Sequence, residues 1–443
     1  MKTLSIAATR LIRLLLSLVN RGGSLPGQIG LKIDSKILSK LSFDGVIIMV
    51  TGTNGKTSTS NLIADLLEKS GRTVLSNRRG DNMRAGVTTA ILTNTTLSGK
   101  VKADAMVLEV DELNVRHLLP QLPVDAFVIT NFFRDQLDRA REMEQLIETI
   151  EKVLPAYEGT LVLNGNDPNV VRLSDKAPHA DSFYFEVDHC SSSAVKTSEA
   201  SEGKFCPRCG SRLEYDYYQY SHIGVFHCTS CSFKTPKADV LLTDIDLKKQ
   251  TFNWEGFSLR APQEGLYAIY NCAAVCSVAK LLSIDPKLVK AVFDHAPQPW
   301  GRNEHFSFNG QECILNLVKN PTGANEVMKV IEADDRKKSV LIVLNDHDQD
   351  GTDVSWIYDT HFEKILAKET STIICSGTRA YDMALRLRYE GTEKKIIIHE
   401  DLQEAVDALF AQHDNIQHDN ILYAIATYTA LLPTRNVICR RIK

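Results

Sequence analysis

Two residue patterns in this chain have the types and spacing to do chemistry. The first is Thr51-Gly-Thr-Asn-Gly-Lys-Thr-Ser58, which follows the apolar, β-branched run Val46–Val50. That run reads as a buried strand. Lys56–Ser70 carries Leu62, Ile63, Leu66 and Leu67 at helical spacing, and Gly71 stops it as a C-terminal cap. A strand, a glycine-bearing loop and a helix N-terminus together cradle phosphate oxygens. Glycine lets backbone N–H groups curl around them, and the helix end adds partial positive charge. Gly52, Thr53, Asn54, Gly55, Lys56, Thr57 and Ser58 are therefore candidate nucleotide-binding residues. Lys56 can reach the terminal phosphates, and the Thr57 hydroxyl can hold Mg²⁺. The full P-loop pattern has glycine where this chain has Val50, so the loop is a variant.

The second pattern is Cys206-Pro-Arg-Cys209 and Cys228-Thr-Ser-Cys231, two knuckles with 18 residues between them. Thiolates so spaced converge tetrahedrally on Zn²⁺ at ~2.3 Å, and four of them leave no open position, so the metal is structural. Gly210 suits a tight turn, and the Tyr-rich stretch Leu213–Phe226 suits a hairpin; the ribbon spans 205–234. The remaining cysteines (Cys190, Cys272, Cys276, Cys313, Cys375, Cys439) are scattered, several in apolar runs. That usage fits a reducing compartment, hence the cytoplasm. A third cluster, Asp346-His-Asp348-Gln-Asp350-Gly351, begins like a calcium loop, but Ile357 stands where the bidentate Glu belongs, which excludes calcium.

The elements that must position these residues are of α/β type. Apolar strands recur at Val46–Thr51, Ala105–Val110, Ala126–Thr130 and Thr160–Leu163, with helical patterns between some of them. This alternation predicts a mainly parallel sheet covered on both faces. A Ser-, Glu- and Lys-rich loop over 190–204 leads into the ribbon; strands return over 238–259, and a helix over Tyr267–Leu282. A second α/β unit has strands at Ile314–Val318, Ser339–Leu344, Thr372–Cys375, Lys395–Ile398 and Ile421–Ala426. Helices at Arg379–Arg388 and Leu402–Phe410 lie among them, and His295–Gly301, with two prolines, is the expected hinge. The expected domains are a short N-terminal segment 1–45, a central domain 46–299 carrying the ribbon, and a C-terminal Rossmann-like α/β domain 300–443.

Hydrophobic content of 43% and charged content of 24% are ordinary for a globular protein, and a net charge of -4 gives no reason to expect nucleic acid as a partner. Lys2, Arg10 and Arg13 flank the apolar stretch Leu14–Val19, but the run is short and no small-residue cleavage site follows, against a signal peptide. Leu4, Ile6, Leu11, Leu14, Leu15 and Leu18 instead fit a helix packed on the domain; a peripheral membrane contact is the other reading.

The variant loop resembles the ATP loop of the Mur ligases and folylpolyglutamate synthases. Three further matches fall in the family's order. Glu109, at a strand end, resembles its Mg²⁺-binding glutamate. Asn271, in Tyr270-Asn-Cys-Ala-Ala274, resembles its adenine-side asparagine, and Arg302, in Gly301-Arg-Asn-Glu304, the arginine that meets the nucleotide phosphates. The family's Asp-His-x-Asp motif appears as Asp135-Gln-Leu-Asp138, and no match to its modified lysine is found. Only 45 residues precede the loop strand, so the usual UDP-substrate domain is absent, and a Cys₄ ribbon is inserted instead. These departures resemble one subfamily, the Mur-like subunit of lipid II isoglutaminyl synthase. Ser24–Gly27, Lys319–Gly323, Asp350–Asp359 and Ala426–Ala430 carry that likeness. It implies ATP, Mg²⁺ and structural Zn²⁺, a GatD-type glutamine amidotransferase as partner, and lipid II as substrate at the inner face of the plasma membrane. It also implies that Asp353 completes the partner's Cys-His-Asp triad. Another amino-acid ligase of the same class, and a zinc-ribbon nucleic-acid ATPase, are the competing readings.

Overall fold

The computed structural model describes residues 1–17, 23–78, 81–133, 143–197, 203–297, 301–308, 310–414 and 420–442. The Asp135–Asp138 motif, Leu18 and part of the expected hinge lie outside them. The chain divides into two compact units, one made of Met1–Phe133, Met143–Pro262 and Leu266–Ala296, the other chiefly of Pro297–Lys443.

The strands of the first unit are β1 (Val46–Thr51), β2 (Val74–Ser76), β3 (Ala105–Glu109), β4 (Ala126–Ile129), β5 (Thr160–Asn164), β6 (Asp181–Val187), β7 (Leu213–Tyr220), β8 (Ile223–Cys228), β9 (Val240–Asp246), β10 (Thr251–Trp254) and β11 (Phe257–Arg260). Nine of them form one sheet in the order β11-β10-β9-β6-β5-β4-β1-β3-β2. From β2 to β9 every pairing is parallel; β9, β10 and β11 are antiparallel. Alternation along β1 divides its side chains between two cores. Ile48 and Val50 pack with Leu62, Ile63 and Leu66 of the helix Lys56–Lys69, whereas Ile47 and Met49 pack with Val87 and Ile91 of the helix Arg84–Thr93. Both faces are thus covered, which is why the strands read as continuous apolar runs.

At the N-terminus, α1 (Lys2–Ser17) is a helix, as its periodicity predicts, and it packs on α2 (Leu25–Ile33). The face that packs is not the leucine face. Ser5, Ile6 and Thr9 are buried, while Leu4, Leu11, Leu14 and Leu15 are exposed. Ser5 Oγ donates to Gly30 O at 2.8 Å, and a side chain at Gly30 would collide with Thr9 Oγ1. Small residues allow this close approach, and hydrophobic periodicity alone does not reveal it.

In the second unit β12 (Glu304–Phe308), β13 (Gln311–Leu317), β14 (Lys337–Val343), β15 (Thr370–Ser376), β16 (Ile396–Ile398) and β17 (Asn420–Ala426) form a sheet ordered β12-β13-β17-β14-β15-β16. All pairings are parallel except β12 with β13. Helices Pro321–Glu332 and Ala380–Tyr389 cover one face; Leu402–Asp414 and Tyr428–Ile442 cover the other.

Candidate functional site

The phosphate loop leaves the C-terminal end of β1, where open α/β sheets bind ligands. Gly52 and Gly55 have φ of +123° and +86°, a backbone that L side chains rarely adopt. Space is closed there too: a Cβ at Gly52 would lie 2.3 Å from Thr130 Oγ1, and one at Gly55 2.1 Å from Asn271 Oδ1. Asn271, on the helix Leu266–Leu281, therefore sits directly against the loop. Its Nδ2 is buried and has no hydrogen-bond partner among the described residues. The end of β4 clamps the loop. Thr53 N donates to Asn131 O (2.9 Å), Asn54 N to Asn131 Oδ1 (2.9 Å), and Thr130 Oγ1 to Asn54 O (2.8 Å).

Lys56 is buried at the start of its helix. Its Nζ donates to Gly52 O (2.5 Å) and lies 3.1 Å from Glu112 Oε1, itself buried. Glu109 reaches the same place because β1 and β3 pair in parallel with Val50 opposite Glu109. Its Oε1 accepts from Thr57 Oγ1 (3.0 Å) and Asn82 Nδ2 (2.9 Å), and Asn77 brackets its backbone with bonds of 2.8 and 2.9 Å. Glu109 Oε2 is buried without a donor among the described residues. A buried, half-satisfied carboxylate beside the Thr57 hydroxyl is a donor set that suits Mg²⁺.

Gly52 to Ser58, Glu109 and Asn271 thus converge within the first unit. Arg302 and Asp353 belong to the second. Arg302 is half-buried just before β12, where Asn303 N donates to Asn316 Oδ1 (2.9 Å). Asp353 is exposed on the loop after β14; its Oδ1 accepts from Ser355 N at 2.8 Å. Asp350 anchors that loop from a buried position, its Oδ1 accepting from Thr429 N at 2.7 Å.

The cysteines cluster as their spacing predicts. All four sulfurs lie within 4.8 Å of one another, with Cys206 Sγ to Cys231 Sγ at 3.6 Å and Cys209 Sγ to Cys228 Sγ at 3.5 Å. Four thiolates ~2.3 Å from one ion stand ~3.8 Å apart, whereas disulfide sulfurs are ~2.05 Å apart, so the set fits zinc. Burial pushes Cys206 up to about 12, whereas the Ser211 backbone N–H pulls the exposed Cys209 down to about 6.

Sequence reasoning missed several site groups. Glu112 is one, although the acidic run Glu109-Val-Asp-Glu112 marks it. Asn77, Asn82 and Thr130 carry no local signal. Another group ties the ribbon to the loop. His222, at the tip of the β7–β8 hairpin, has its Nε2 3.2 Å from Asp167 Oδ1, and its ring is 4.8 Å from that of Phe133. Phe133 N in turn donates to Thr53 Oγ1 (3.0 Å). Glu186, at the end of β6, is also buried in this region, and burial raises its carboxyl to about 7. The folded chain therefore holds a proton that the unfolded chain releases near its ordinary value of 4.5, and stability falls as pH rises between those values. Glu186→Gln is expected to be more stable than the parent at about pH 8, by on the order of 3 kcal/mol, and equal to it near pH 4. Thermal melts across that range check it; a difference independent of pH would contradict the assignment.

Comparison with known proteins places this geometry. The Mur ligase middle domain matches residues 50–279, and the MurT ligase C-terminal domain residues 317–431. A solved pseudomurein peptide ligase type C from Methanothermus fervidus shares the fold, with a TM-score of 0.70 at 19% identity over 92% of this chain and 81% of that one. Fold and loop together define the Mur ligase class. The MurT subunit of lipid II isoglutaminyl synthase (glutamine-hydrolyzing) from Staphylococcus aureus is 34% identical over 93% of this chain and 92% of that protein. That from Streptococcus pneumoniae is 34% identical over 99% and 97%. The chain belongs to this MurT family of Mur ligases.

Proposed function

We propose that this chain is the activating subunit of a lipid II isoglutaminyl synthase. It moves the γ-phosphoryl group of ATP onto the α-carboxylate of D-glutamate in the lipid II stem peptide. A carboxylate is a poor acceptor for an amine; as an acyl phosphate it has a good leaving group. Ammonia, released from glutamine by a GatD-type amidotransferase subunit, adds its lone pair to the acyl carbon. The C–O bond to phosphate then breaks, a proton leaves nitrogen, and the product is D-isoglutamine.

The observation that supports this most is the convergence of Lys56, Thr57 and Glu109 on the loop of a chain similar to MurT subunits along its whole length. Lys56 neutralises charge on the transferring phosphoryl, and backbone N–H groups of 55–57, at the helix start, cradle its oxygens. Glu112 keeps the Lys56 ammonium beside the loop. Thr57 and Glu109 would hold Mg²⁺, which when bound offsets phosphate charge. Asn271 lines the nucleotide side of Gly55, and Arg302 has the role of a further phosphate ligand. The four cysteines would hold a structural zinc ion. Asp353, exposed on an anchored loop, orients the imidazole of the partner's Cys-His pair and stabilises its charged form.

The test is reconstitution of the purified chain with its amidotransferase subunit. Lipid II, glutamine and ATP should yield the amidated lipid, and no such product would sink the reading. Ammonia should outcompete amino acids as acceptor, which separates this reaction from that of other ligases of the class. Asp353→Asn should slow glutamine hydrolysis by about 10³–10⁴-fold, the effect of losing the carboxylate that orients a triad histidine. Amidation driven by added ammonium should stay intact. Full glutaminase activity in that variant would remove Asp353 from the triad.

A further inference from the structure

The helix α1 is mounted inside out. At 100° per residue, Leu4, Ala7, Leu11, Leu14 and Leu15 fall within an arc of about 100°, and every one of them is exposed. The leucines are strongly so: 60%, 57%, 63% and 55% for Leu4, Leu11, Leu14 and Leu15. The opposite side, with the small polar residues Ser5 and Thr9 beside Ile6, is buried against α2. An amphipathic helix normally buries its apolar face in the domain. Here that face is turned to solvent and forms an apolar strip rather than scattered single residues.

Charge indicates what covers it. Residues 1–33 contain Lys2, Arg10, Arg13, Arg21 and Lys32 and no Asp or Glu, in a chain whose net charge is -4. Arg10 borders the leucine arc and is exposed, whereas Lys2 and Arg13 lie on the packed side and are half-buried. Two copies meeting through this face would bring two acid-free, basic N-terminal segments and their Arg10 side chains together, whereas a bilayer of anionic headgroups would pair with them. A leucine face bordered by an arginine, in a basic segment without acids, is the pattern of a helix that lies in the membrane interface. Among the described residues no helix is long and apolar enough to cross a membrane, so the contact is with the surface.

We infer that α1 is an interfacial anchor, seating its leucine face in the headgroup region of an anionic membrane with Arg10 on the lipid phosphates. The inference is independent of the amidation chemistry, because the test uses vesicles free of lipid II.

Vesicle flotation of the full chain, alone and joined to its amidotransferase subunit, measures it. Vesicles containing phosphatidylglycerol should carry both forms upward, and vesicles of phosphatidylcholine alone much less. Leu11→Ser/Leu14→Ser should lower the partition coefficient by about tenfold or more, given the apolar area withdrawn from lipid. Arg10→Gln should lower it roughly fivefold, and high salt should mimic that loss. Melting temperature and ATP turnover should stay unchanged in the leucine variant, whose side chains face solvent, and nearly so in Arg10→Gln, which loses one long contact with Thr95 O (3.5 Å). No flotation of the parent chain overturns the inference, as does equal flotation of the leucine variant. So does a dimer of the parent that the leucine variant dissolves, or flotation lost on joining the amidotransferase subunit, because protein then covers the face.

Discussion

Lys56→Ala is expected to reduce ATP turnover by about 10²–10³-fold, the usual effect of removing one preorganised charge or donor from a transition state. Position alone does not justify that number, because Lys56 also has a structural partner. Its ammonium is buried against Glu112 at 3.1 Å. Removing one member of a buried ion pair leaves the other charge uncompensated and destabilises by about 3–5 kcal/mol. Instability alone would thus also give a dead variant. A cycle with Glu112→Ala separates the two effects. Lys56→Ala/Glu112→Ala should recover most of the lost melting temperature, because the stranded carboxylate is gone. It should recover none of the turnover, because no other cation takes the place of Nζ on the phosphates. Near-normal turnover in folded Lys56→Ala would remove the loop from the mechanism.

The phosphate loop could be read from the sequence because its residues are contiguous and its backbone geometry is written in glycines. Gly52 and Gly55 sit at positive φ, where only glycine is comfortable. The buried strands were legible for a similar reason: β1 and β3 through β5 are covered on both faces and are apolar except at their end residues. β6 was missed because its first residues, Asp181 and Ser182, are exposed and polar. The final helix Tyr428–Ile442 was missed because it contains Pro433, which local propensity penalises heavily. Contacts made by topology leave no local trace. Lys56 meets Glu112, 56 positions away, only because β1 and β3 are neighbours, and Asn271 meets Gly55 across the core. The N-terminal helix adds a third case, in which periodicity revealed the helix but not which side of it faces the protein. Packing there depends on how closely Ser5 and Thr9 can approach Gly30.

The ribbon is expected to matter beyond its own stability. Its own core is small: Cys206, Leu213, Phe226, Cys228 and Phe233 pack with Val171 outside it, while Tyr220 and Ile223 at the tip join the main core. A two-stranded hairpin with so little apolar surface is marginal by itself, and a bound metal would supply the missing stability, on the order of 10 kcal/mol in free-standing zinc peptides. Loss of zinc, by chelation or by Cys209→Ser, should therefore loosen β7 and β8 and lower the melting temperature sharply. The consequence for nucleotide follows from what the hairpin tip touches. Tyr220 stacks on Phe133 with centroids 5.8 Å apart and meets Tyr270 edge-on at 5.7 Å. His222 adds its contacts to Phe133 and Asp167. Phe133 holds Thr53 of the loop, and Tyr270 precedes Asn271, which lies against Gly55. A loosened tip thus frees both sides of the phosphate cradle, and displacements near 1 Å are enough to lower rates by up to about a hundredfold. Metal analysis should find one zinc per chain. The metal-depleted chain should show an ATP KM raised by about tenfold, restored by zinc but not by magnesium. If the depleted chain melts and binds nucleotide as before, or if its cysteines are found as two disulfides, the ribbon has no hold on the loop.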